Sequence, residues 1–277
     1  MSIKKFRRWM DEPGNSVIFT GSTMFILIVL AGIFIPFFYR FGPYDFVGDP
    51  LQSPSLEFLF GTDQLGRDVF SRTFHAVYLD LGVAFLGVAI PFAIGTVIGI
   101  ILGISKNKRL VALISSIIDG INAFPLLILA AALIAFLGPG LGSVIIILSL
   151  TNWARYARIA RTRAVVVSQQ NYIEAAYTLG YPKRRIIRKH IAPNVSSETI
   201  AYALSDFILV ILLVAGLSFL GLAATPPTAE WGAMISEGRA YIQGSPWVTL
   251  FPGAALCWAA ISLAFIVEGL NRREGKI

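Results

Sequence analysis

Three carboxylates, Asp80, Asp119 and Asp206, lie at or within long runs that otherwise carry no charge. An ionised side chain at the centre of a bilayer costs about 2.5–3.5 kcal/mol or more, so such a group faces water or a partner. Asp119 and Asn122 are three residues apart, a spacing that places two side chains on one helical face. Asp119, Asn122 and Asp206 are therefore candidate contacts for a cationic or amine-bearing solute. Hydrogen-bonded structural carboxyls are the competing reading, and Asp80 sits at a run boundary. A second candidate is the stretch EAAYTLGYPKRRIIRKHIAP, residues 174–193. Gly180 ends one short helix, Pro182 opens a second and Pro193 closes it, which predicts a sharp elbow. Ala175 and Ala176 offer a flat surface to a partner, and Lys183, Arg184, Arg185, Arg188 and Lys189 make the second helix basic.

Other chemistry is missing. No G-x-x-x-x-G-K-[ST] phosphate loop occurs, so the chain has no nucleotide site of that kind. H-E-x-x-H is absent, and the two histidines, His75 and His190, fall on opposite sides of the expected topology, so no two-His metal site is expected. The lone cysteine, Cys257, precludes an internal disulfide.

These residues must be held by membrane helices. The 277 residues are 56% hydrophobic and 14% charged, against about 25% charged in soluble domains. Uncharged or nearly uncharged runs predict six spans, at 17–38, 81–104, 110–137, 140–154, 199–224 and 248–267. The first is too long and lacks the cleavage pattern of a signal peptide. With the N-terminus inside, 19 of the 23 Lys and Arg residues fall on the cytoplasmic side; only Arg40, Arg67, Arg72 and Arg239 fall outside. The expectation is thus an all-α polytopic membrane protein, N-in and C-in, with residues 174–193 facing the cytoplasm. The net charge of +7 clusters between apolar runs and points to lipid headgroups, not nucleic acid.

Smaller signals complete the spans. Gly95, Gly99 and Gly103 form a small-residue stripe that lets helices approach closely, within the bundle or against a partner. Pro91 and Pro125 fall inside spans and can kink them. In the outer segment 39–76, Asp63, Arg67 and Asp68 can pair locally at the surface. Residues 225–247 are rich in Pro, Gly and Trp.

The elbow resembles the EAA loop of bacterial ABC-importer permeases. Glu174, Ala175, Ala176, Gly180 and Pro193 fit that pattern, while His190 and Ala192 stand where Ile and Leu are usual. FGTDQLGRDVFSR at 60–72, NWARYAR at 152–158 and the stretch 214–242 are similar to segments of the dipeptide, oligopeptide and nickel permeases. The resemblance implies a type I ABC-importer permease fold. Its first part, residues 1–76, holds the N-terminal segment, first span and outer loop; a core at 77–277 carries the coupling loop at about 168–195. It further implies docking of an ATP-binding subunit by Glu174, Ala175, Ala176 and Gly180, supported by Arg184 and Arg185. Expected partners are a second homologous permease, two ATP-binding subunits that hold ATP and Mg, an extracytoplasmic solute-binding protein and lipid. The chain itself would bind no cofactor and would not be an enzyme. The implied cargo is short peptides or nickel and other metal chelates, with a lean toward the chelates. A self-powered secondary transporter or channel is the alternative, though no internal repeat supports it.

Overall fold

The computed structural model describes residues 12–273 and 275. The basic residues Lys4, Lys5, Arg7, Arg8 and Lys276, which entered the orientation reading, lie outside them. Among the described residues the chain is helical, with two isolated antiparallel bridges, Phe46 to Arg67 and Thr62 to Asp68. The helices are α1 (Asn15–Phe38), α2 (Val69–Ile104), α3 (Lys108–Asn122), α4 (Leu126–Leu137), α5 (Leu141–Thr151) and α6 (Trp153–Ser168). There follow α7 (Asn171–Thr178), α8 (Lys183–Phe219), α9 (Trp231–Gly238) and α10 (Trp247–Arg273).

Four of these, α1, α2, α8 and α10, are individually long and apolar enough to cross a membrane. The expected third span is instead two helices, α3 and α4, meeting at 92°. Pro125 lacks an N–H and pushes the preceding residue out of the helical region, so the break falls there. Pro91, by contrast, is carried inside the unbroken α2. The expected fourth span is likewise two helices, α5 and α6, interrupted at Asn152. If α3 and α4 together form one span, the helices long and apolar enough to cross number five.

Pro193 does not close the basic helix. The helix runs on from Lys183 to Phe219 through a π-helical turn at Ile187–Ile191, in which the Ala192 N–H reaches back to Ile187 O. A proline ring clashes with the carbonyl four residues before it. The wider π turn just upstream of Pro193 opens the helix at that point.

The chain forms two compact units. The first comprises the chain up to Ala84, Gly138–Leu141 and the chain from Phe207 onward. In it α1 packs along α10: a methyl group added at Gly21 would lie 2.6 Å from Ser262 O, and one at Gly269 would lie 2.5 Å from Ile18 Cγ1. Trp258 Nε1 donates to Met24 O at 2.9 Å across the same contact. Fully buried Trp231 anchors α9 against α2 by donating its ring N–H to Thr73 O at 3.0 Å.

The second unit comprises Phe85–Leu137 and Gly142–Asp206. Its seam is the glycine stripe of α2 against the alanines of α6. A methyl group at Gly99 would fall 2.5 Å from both Ala157 O and Ala160 Cβ, and one at Gly103 would fall 2.6 Å from Ala164 Cβ. The stripe thus packs within this chain. Asn107 caps α3, its side chain accepting the N–H groups of Arg109 at 3.1 Å and Leu110 at 3.2 Å.

Candidate functional site

The elbow is built on a buried core. Ile173 and Ala176 of α7 point inward and join Ile100, Ala160, Ala164, Val167, Ile186, Ile191 and Val195 in one cluster. Ala176 is only 5% exposed, so it is not part of the open face; its small side chain lets α7 seat against the bundle. Glu174 and Ala175 are exposed, as are Tyr177 and Leu179. Gly180 takes a left-handed φ of +78°. The Tyr181 N–H donates to Ala176 O at 3.1 Å and the Gly180 N–H to Tyr177 O at 2.9 Å, the pairing that ends a helix at glycine. Pro182 is extended and precedes α8. Arg184 and Arg185 are exposed, with the Arg185 guanidinium 4.3 Å from the Tyr181 ring centroid.

The candidate pathway residues separate. Asp119 pairs with Arg158 at 2.5 Å on an open surface, with side chains 69% and 54% exposed. Arg161 lies beside it and donates to Ser115 Oγ at 2.6 Å. Asn122, one turn on, instead lines a small cavity with Thr151, Asn152 and Arg155 at the break between α3 and α4. Asp206 is 1% exposed and accepts the Tyr156 hydroxyl at 2.8 Å. The Tyr202 ring stacks edge-on against Tyr156, 5.1 Å between centroids.

Asp63, Arg67, Asp68 and Arg72 of the first unit are buried, not paired at a surface. Arg67 donates to Asp63 at 2.6 Å and to Glu237 of α9 at 2.9 Å, and Arg72 lies 3.6 Å from Asp63 and 3.5 Å from Glu237. Asp68 takes another route: it accepts the Ser71 N–H at 2.6 Å and the Tyr39 hydroxyl at 3.4 Å. Burial pushes the Asp68 carboxyl above its ordinary range and the Tyr39 phenol up to about 12. Asp80 also binds inward, accepting the Trp231 N–H at 3.1 Å, beside Glu230, which accepts the Ala233 N–H at 2.7 Å. Burial raises the Glu230 carboxyl as well. The role of Glu237 had no local signal in the sequence, because its guanidinium partners lie far upstream.

Helices this long and apolar define a polytopic membrane protein. Residues 95–276 match the family described as binding-protein-dependent transport system inner membrane component. The chain belongs to that family and is a permease subunit, not an enzyme. It is 38% identical over 221 residues to the dipeptide transport system permease protein of Alkalihalophilus pseudofirmus, covering 80% of this chain and 72% of that one. It is 32% identical over 276 residues to the di/tripeptide transport system permease protein of Pseudomonas aeruginosa, covering 97% and 90%. In fold it is similar to a chain of the MetNI methionine ABC transporter in inward-facing form, with a TM-score of 0.60 at 20% identity, covering 73% and 95%.

Proposed function

We propose that this chain forms half of the transport path of an ABC importer for short peptides, and that its elbow receives the ATP-binding subunit. The carrying observation is the two-sided character of α7. Glu174, Ala175, Tyr177 and Leu179 face out, while Ile173 and Ala176 lock into a core shared with α2, α6 and α8. A push on the open face therefore moves helices that reach into the membrane. Gly180 holds the bend, and Arg184 and Arg185 offer charge beside it. The motor consists of two partner subunits that carry ATP and Mg. A second homologous permease completes the path, and an extracytoplasmic binding protein delivers the solute.

Short peptides are favoured over metal chelates because the relatives named above carry dipeptides and di- or tripeptides. They lend no support to the lean toward nickel. Asp119 faces the path in this reading, and Asp206 serves as the buried partner of Tyr156.

The test is Ala175→Trp in the co-expressed complex. Ala175 is exposed, so the chain should insert normally while the ATP-binding subunits no longer co-purify and dipeptide uptake stops. Undiminished co-purification would remove the docking role. Uptake assays with a radiolabelled dipeptide and with nickel separate the two cargo classes.

A further inference from the structure

We propose that the cleft around Asp119 and Arg158 is a station for the charged ends of a peptide in transit, Arg158 and Arg161 taking the carboxylate and Asp119 the ammonium. This rests on the peptide-import function proposed above. The cleft has a volume of about 350 Å³ and is lined by Ser115, Asp119, Arg158, Arg161 and Thr162, among others, all in the second unit. That volume lies in the range of small-molecule sites.

Exposure is the first argument. Asp119 and Arg158 stand on helices of the membrane bundle, with side chains 69% and 54% exposed. An open carboxylate and guanidinium cannot face acyl chains without a large cost. They must face water or protein. Interiors and subunit contacts are close-packed, with few voids larger than a water molecule, so an open cleft of this size fits a water-filled path.

Charge is the second. The cleft holds one carboxylate against two guanidiniums. The surplus positive charge favours an anionic group, and a guanidinium can bind a carboxylate through two parallel hydrogen bonds. Strength is the third. An exposed ion pair is worth about 0–1 kcal/mol, so the Asp119–Arg158 pair opens readily. A zwitterion can insert its two ends between them, exchanging one ion pair for two without changing the net charge. Contacts that weak suit passage, which requires entry without trapping.

The experiment uses the full reconstituted complex with its ATP-binding subunits and binding protein. Thr162→Cys leaves every cleft charge in place, and Cys257→Ser removes the single native thiol, which is exposed. A membrane-impermeant cationic methanethiosulfonate should label Thr162→Cys in the nucleotide-free state. Excess alanyl-alanine should slow that labelling about fivefold or more, and N-acetyl-alanyl-alanine amide should not. In parallel, Arg158→Gln should lower dipeptide import about tenfold with subunit assembly unchanged. No labelling, labelling indifferent to the free dipeptide, or unchanged import by Arg158→Gln would each overturn the station. A native complex that assembles but imports no short peptide would instead overturn the function on which it rests.

Discussion

Glu237 holds two guanidiniums that have almost no access to solvent: the side chains of Arg67 and Arg72 are 2% and 1% exposed. Removing one member of a buried ion pair leaves an uncompensated charge and costs about 3–5 kcal/mol. Glu237→Gln is therefore expected to lower stability by about that amount, read as the thermal midpoint of the detergent-solubilised protein; a loss under ~1 kcal/mol would show the network to be slack. Asp68, in the same outer segment, responds in the opposite sense. Burial raises its folded value above the ordinary 3.8, so its contribution to stability is complete below 3.8 and is lost as pH rises through the raised value. Asp68→Asn keeps the Oδ1 acceptor for the Ser71 N–H and turns its amide N–H toward the Tyr39 hydroxyl, which must then accept instead of donate; it is expected to flatten the fall of the midpoint from acid to neutral. An unchanged slope would refute this. The Asp63–Arg67 pair was readable from a spacing of four residues, though not its burial. Glu237 was not readable, since it stands 170 residues from Arg67 and no local pattern links them.

At the scale of elements, two glycines do different work under the same substitution. Gly99 sits within α2, where a methyl group would meet Ala157 O and Ala160 Cβ at 2.5 Å. Gly180 has nothing within 4 Å of that position but holds a φ of +78°. Gly99→Ala should therefore force α2 off α6 at a cost of about 1–3 kcal/mol, the range for overpacking. Gly180→Ala should cost only the left-handed strain of about 1–2 kcal/mol. Its effect should appear in the coupling of ATP hydrolysis to uptake, beyond any loss that Gly99→Ala causes at a similar thermal midpoint. Coupling kept in Gly180→Ala, or lost equally in the two variants, would defeat this distinction. The glycine stripe and the helix end at Gly180 were readable because both follow from one residue type at fixed spacing. The breaks were less so. Pro125 parts α3 from α4, yet Pro91 and Pro193 are absorbed within helices, because a neighbouring π turn or packed helix can take up the lost hydrogen bond.

For the whole molecule the open matter is how many times the chain crosses. Basic residues put both termini on one side, which requires an even number of crossings. Four helices satisfy that alone; six do so if α3 with α4, and α5 with α6, each cross as a pair. The charge pattern does not separate these, because the basic clusters at 106–109 and at 155–163 fall on the cytoplasmic side in either arrangement. The length of the pairs decides it. The pair α3 with α4 is long and apolar enough to cross when taken together, and α5 with α6 runs from Leu141 to Ser168, long enough to cross at about 1.5 Å per residue. Six crossings are therefore expected. An alkaline phosphatase fused after Pro139 should be active, as should one fused in the loop at residue 53, whereas fusions after Asn107, Gln169 and Arg273 should be inactive. An inactive fusion at Pro139 with an active one at residue 53 would mean four crossings. α3 and α4 would then form a re-entrant loop, the Asp119 cleft would open only to the cytoplasm, and a station for peptides crossing the membrane would have to lie elsewhere.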